Sequence, residues 1–241
     1  MNAQEHIGDI VTYDYRSASV FRKYGIDFCC GGGKSLESVC EAKGISPDEL
    51  LSDLMTIGNV APEAGNQYKD WSFNQLIDHI IDKHHSYTKN TLADLDQYLR
   101  KVAKVHGDYN PELHGILSIF ISLMEELTLH MNKEEMVLFP YIRKIERCKE
   151  SNTQLERPPF GTIENPIRMM ENEHDMAGNG MKEIRRLSND FTPPEHACNT
   201  YLVSFKVLEE FEMDLHKHIH LENNILFPRA IQLETEIFKN Q

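Results

Sequence analysis

The chain has 241 residues, 40% of them hydrophobic and 26% charged, which suits a packed globular protein and excludes a disordered one. A net charge of −13 argues against nucleic acid and against a membrane surface as partners, and no apolar run approaches the ~20 residues of a membrane span. The opening MNAQEHIGDI lacks the basic-then-apolar layout of a secretory signal, and five cysteines without a regular framework read as reduced thiols, so a cytoplasmic location is expected.

Taken in chain order, residues 1–57 predict a small helical domain. SASVFRKYG is a short amphipathic helix with Gly25 as its C-terminal stop. A second helix starts after Ser35, and a third after Ser46 with Pro47 at its first position. Residues 58–70, GNVAPEAGNQYKD, read as a linker. Residues 71–241 then carry four long segments of helical period, at roughly 72–105, 111–147, 163–190 and 194–236, separated by Pro-, Gly- and Asn-rich breaks. The expected fold is all-α: an antiparallel four-helix bundle preceded by the small helical domain.

The second and fourth segments repeat one pattern. HMNKEEMVLFP starts at His130 and HIHLENNILFP starts at His218, 88 residues on. Each places a Glu four residues after the His, on the same helical face, among residues that would line the core: Leu127, Leu138 and Ile142 in one, Leu215, Ile219 and Leu226 in the other. A carboxylate there is costly unless paired or bound to metal. The first and third segments align by nearly the same offset, which sets His174 against His85. His85 also falls on the stripe Ile81, His85, Thr88, Leu92, Leu95, Leu99, and is therefore preferred to His84. His174 falls on Ile167, Met170, His174, Ala177, Met181, Ile184.

Four histidines and two glutamates exceed what one metal needs. Two metals fit, each carboxylate bridging them and each ion taking two imidazoles. An added oxo or hydroxo bridge leaves one open position per ion. Mixed imidazole and carboxylate donors suit iron or manganese, and iron accounts best for open positions at a redox-capable centre. The expected metal residues are His85, His130, Glu134, His174, His218 and Glu222. Glu126, one turn before His130, and Glu173, beside His174, are candidates for acids standing behind the ligands. His79, His84, His106, His114, His196, His216 and His220 default to surface or supporting positions. Isolated core histidines are usually structural, but a duplicated His-x-x-x-Glu at matched positions argues for ligation.

Cys29 and Cys30 are adjacent and precede Gly31, Gly32 and Gly33, just ahead of a helix start. Thiols near a helix N-terminus are expected to be acidic and reactive, so the pair is a candidate for redox or iron transfer. Cys40, Cys148 and Cys198 show no partner pattern.

These residues together resemble a known family, the iron-sulfur cluster repair di-iron proteins, also called repair of iron centres. The likeness covers nearly the whole chain. SASVFRKYGIDFCCGGGKSL is similar to the family's cysteine-bearing N-terminal domain. DHIIDKHH, HMNKEEMVLFP, ENEHDMAG and HIHLENNILFP are similar to its hemerythrin-like bundle. The resemblance implies two non-haem, oxo-bridged irons on the six residues above, a homodimer, and a bacterial role in restoring clusters damaged by oxidative or nitrosative stress, by supplying iron to damaged iron-sulfur proteins. Gly33 departs from the family's usual cysteine motif. Two other functions share the same ligands: an oxygen or nitric oxide carrier or sensor, and a nitric oxide reductase. The cysteine domain favours repair, since a simple carrier has no use for it.

Overall fold

A computed structural model describes residues 2–58 and 68–239. Most of the expected 58–70 linker, residues 59–67, lies outside the described residues, and Tyr68–Asp70 forms one 3-10 turn. The chain divides into two compact units, residues 1–76 with 219–241, and residues 77–218. Among the described residues no helix is long and apolar enough to cross a membrane.

In the first unit, short helices α1 (Ile7–Tyr13), α2 (Ser17–Lys23), α3 (Leu36–Lys43) and α4 (Pro47–Gly58) enclose Ile7, Phe21, Phe28, Leu36 and Leu50, all essentially without exposure. Local chemistry sets their ends. Gly25 takes a φ of 61°, and the amides of Gly25 and Ile26 reach back to the Arg22 and Phe21 carbonyls, closing α2 in a left-handed turn that glycine makes without strain. Ser35 caps α3 by accepting from the Ser38 amide. Ser46 accepts from the Glu49 amide at 3.5 Å, with Pro47 at the first position of α4.

The second unit holds most of a four-helix bundle. Its first helix is α5 (Phe73–His79), a π turn at Ile80–His85, and α6 (Ser86–His106). The second is α7 (Glu112–Lys133), a π turn at Glu134–Leu138, and α8 (Phe139–Ser151). The third, α9 (Glu164–Leu187), is regular. The fourth runs without a break through α10 (Asn199–Leu221), a π turn at Glu222–Leu226, and α11 (Phe227–Lys239). Apolar residues recur every three or four positions on the inner faces. Leu113, Ile116, Phe120, Leu123 and Leu127 are buried on α7; Ile167, Met170, Ala177, Met181 and Ile184 are buried on α9.

The third helix stops at Leu187 and not near residue 190, because Asn189, Asp190 and Phe191 all adopt positive φ. The fourth starts at Asn199 and not at 194, beyond the Pro193–Pro194 pair. The first helix shows a subtler difference. Ile81, expected on the core stripe, is half-exposed, and Ile80 is buried in its place. The six-residue π turn Ile80–His85 inserts one extra position into the helix, so the buried stripe changes register there.

The glycine run after the cysteines also has a steric basis. A β-carbon on Gly31 would stand 2.5 Å from the Asp27 carbonyl oxygen, and one on Gly32 would collide with the Asn224 side chain. One on Gly33 would meet nothing within 4 Å. The extra glycine of the motif therefore sits where any residue fits. Gly31→Ala should cost about 1–3 kcal/mol in a urea titration, whereas Gly33→Ala should stay within about 0.5 kcal/mol of the parent. Equal losses at the two positions would contradict this account of the loop.

Candidate metal centre

Three π turns carry three of the six candidate ligands, and His130, His174 and His218 lie on the regular helices α7, α9 and α10. His84 and His85 end the first, Glu134 opens the second and Glu222 opens the third. The second and third obey the 88-residue repeat, and each is followed by Phe and then Pro: Phe139–Pro140 and Phe227–Pro228. Proline has no amide proton, and within an α-helix its ring meets the carbonyl four residues earlier. A wider turn just ahead of it relieves that conflict. The proline thus helps to fix the turn, and the turn sets the direction of the glutamate that opens it. Such π turns recur at functional sites.

Within the bundle, Glu134 Oε2 lies 3.3 Å from Nε2 of both His85 and His130. His218 Nε2 is 3.1 Å from His85 Nε2, and His174 Nε2 is 3.0 Å from His130 Nε2. Glu222 follows His218 by one turn of the same helix, and its side chain is wholly buried. Two sets result, His85, Glu134, His218, Glu222 and His130, Glu134, His174, Glu222, each with one potential ligand atom per residue and all within 4.8 Å of one another. Both glutamates belong to both sets. All six residues are buried, His85, Glu134 and Glu222 with no exposure at all.

Carboxylates behind the imidazoles fix their orientation. His85 Nδ1 donates to Glu135 at 2.7 Å, and His130 Nδ1 donates to Glu173 at 2.8 Å. A carboxylate can only accept, so in the neutral ring the proton is on Nδ1 and the Nε2 lone pair faces the cluster. Burial pushes the Glu135 and Glu173 carboxyls upward. Hydrogen bonds outweigh it, from Lys89 and His85 on Glu135 and from Lys133 and His130 on Glu173, and hold both below the usual carboxylate range. Both therefore stay ionised and keep their imidazoles in the metal-binding tautomer.

His84 is buried too, but it faces another partner. Its Nδ1 is 2.9 Å from Asp214, and its ring stacks on that of His218 at 5.7 Å. Burial depresses its basicity, partly opposed by Asp214. Burial, and next the charge of His84, bring His79 down to about 4. Glu126 is exposed on α7. Glu135 and Asp214 escaped the sequence reading. Glu135 has Asn223 as its repeat mate, so the duplication carries no signal for it.

The cysteines form a third set with Asp27, their ligand atoms again within 4.8 Å. Asp27 Oδ1 accepts the amides of Cys29, Cys30 and Gly31 as well as the Cys29 thiol, at 3.0–3.4 Å, and so shapes the loop. The two sulfurs are 4.0 Å apart and both thiols are free. The expected acidic thiol is not found at Cys29. Its bond to Cys30, then its burial, then the nearby Asp27 charge push it well above the usual thiol range. The reason is position: Cys29 stands well before the start of α3 and is almost fully buried.

The fold and its clustered imidazoles and carboxylates define a cation-binding helical bundle. Residues 76–230 match the family described as Hemerythrin HHE cation binding domain, and residues 3–57 match a Domain of Unknown function (DUF542). A protein of Haemophilus influenzae named Probable iron-sulfur cluster repair protein is 35% identical over 232 residues, covering 95% of this chain and 97% of its own. The Iron-sulfur cluster repair protein YtfE of Yersinia pseudotuberculosis is 35% identical over 219 residues, covering 91% and 93%. Its Yersinia pestis counterpart is 34% identical over the same length. The chain belongs to this family of hemerythrin-domain iron-sulfur cluster repair proteins.

Two substitutions test the site's construction. Glu173→Gln removes the anionic acceptor behind His130 and should weaken metal retention against a chelator by about 10–100-fold, with helix content kept. His85→Ala should cut metal content sharply, whereas His84→Ala should leave most of it. The reverse ranking would transfer the ligand role to His84.

Proposed function

We propose that the chain repairs iron-sulfur clusters damaged by oxidative or nitrosative stress, by supplying iron from a centre of two non-haem irons. His85 and His218 would hold one ion and His130 and His174 the other, with Glu134 and Glu222 shared between them and an oxo or hydroxo bridge completing the pair. The observation that carries this reading is the membership of both buried glutamates in both ligand sets. Bound iron would supply redox chemistry and vacant coordination positions. The chain's own residues orient the donors through Glu135 and Glu173 and exclude water from the carboxylates.

The relatives' names support cluster repair as the purpose, with damaged iron-sulfur proteins as partners. The proposal extends to a homodimer acting in the cytoplasm, a reducing compartment in keeping with five free cysteines. Nitric oxide or oxygen would be small ligands of the vacant positions. Cys29 and Cys30 would serve transfer rather than retention, since the bundle already supplies six donors. Reduction lowers the charge on each ion and weakens its attraction to the two carboxylates. Release would therefore be fastest from the reduced protein.

Two irons per chain are expected by elemental analysis, falling to less than one in Glu134→Ala or Glu222→Ala with helix content maintained. The reduced, loaded protein should reactivate a cluster enzyme inactivated by nitric oxide or peroxide, with the metal-free protein inactive in the same assay. Reversible oxygen binding without iron release or reactivation would replace repair with carriage. Catalytic loss of nitric oxide without reactivation would replace it with reduction.

A further inference from the structure

Within the first unit, the cysteine loop is fastened to the same π turn that carries Glu222. Asn224, two residues after Glu222, donates its amide Nδ2 to the Cys29 carbonyl at 3.0 Å, and the same nitrogen is 3.2 Å from His220 Nδ1. His220 Nε2 is in turn 3.4 Å from the Thr12 hydroxyl. The His220 ring lies edge-on to Phe28 at 6.1 Å and tilted against Tyr15 at 6.0 Å. The Asn224 carboxamide also fills a notch between Gly8 and Gly32, where a β-carbon on either glycine would strike Oδ1. Both amide protons are used and the shape is matched on two sides.

The internal repeat supplies a comparison. The twin of the turn Glu222-Asn223-Asn224-Ile225-Leu226 is Glu134-Glu135-Met136-Val137-Leu138. The residue matching Asn224 is Met136, which is 77% exposed. An asparagine is therefore not needed to form the turn. Its chemistry serves the contact with the cysteine loop.

We infer that Asn224 is a positioning residue that couples access to the Cys29 thiol to the state of the Glu222 turn. The metal side of this rests on the two-iron reading above. A cation held by Glu222 fixes the first residue of the turn, which holds Asn224 against the loop and keeps Cys29 covered. When that carboxylate is released, the turn, the amide and the loop loosen together. The thiols thus become available as iron leaves the centre. Coupling of this kind is reciprocal, so a modified thiol also weakens the hold on the ion.

The test is alkylation of the full chain by iodoacetamide, with and without ferrous iron. Fragment ions of the Tyr24–Lys34 tryptic peptide report Cys29 apart from its neighbour Cys30, and the peptide itself excludes the exposed Cys198. In the parent, Cys29 should react more slowly when iron is bound. Asn224→Met, which copies the twin turn, should keep helix content and raise the metal-free rate about tenfold, the equivalent of one lost hydrogen bond. It should also abolish the dependence on iron, which a merely structural loosening would leave in place. Gly33→Ala, in the same loop but without neighbours, should behave as the parent. A parent-like rate in Asn224→Met, a surviving iron dependence in that variant, or no iron dependence in the parent would overturn the coupling. A chain that takes up no iron would defeat the two-iron reading instead, and the metal-free rates would still decide whether Asn224 holds the loop.

Discussion

Two carboxylates without solvent exposure, Glu134 and Glu222, set the terms for the rest of the structure. An ionised carboxylate in an apolar interior is tolerated only beside compensating positive charge. Elsewhere in this bundle the need is met within the protein: Glu212, also buried, is gripped by the guanidinium of Arg185. Around Glu134 the structure instead assembles imidazoles whose lone pairs face inward because their far nitrogens are committed to Glu135 and Glu173. Donors arranged in that way call for a cation.

The backbone is shaped to the same end. Three of the four bundle helices widen by one residue at the candidate ligands, and in two of them a proline follows closely. A π turn gives up regular hydrogen bonding, so its recurrence at matched positions needs a local cause and a use. Pro140 and Pro228 supply the cause. The use is the direction given to Glu134 and Glu222. The third turn has a further consequence, because Asn224 gives it a grip on the cysteine loop that its twin lacks.

The helical bundle and the convergence of its donors were legible in the sequence because both depend on periods that side chains display. Apolar stripes reveal a buried face, and the duplicated His-x-x-x-Glu singles out buried polar positions on it. The stripe through His85, Thr88 and Leu92 separated His85 from His84. What escaped depends on features without a period. The π turn moved burial from Ile81 to Ile80, and only the prolines hinted at such turns. Glu135 and Asp214 act across helices, and neither carries a signal in the repeat. The Cys29 thiol was expected to be acidic from its nearness to a helix start. Its actual surroundings, a buried loop tied to Asp27 and Asn224, are tertiary.

The central claim is that two cations share both glutamates. X-ray absorption at the iron edge of the loaded protein tests it directly, because a shared carboxylate pair holds its ions close together. A metal–metal scattering shell at about 4 Å or less, beside imidazole scattering from both ions, is the predicted result. Full iron loading with imidazole scattering and no metal–metal shell would contradict the shared-carboxylate centre.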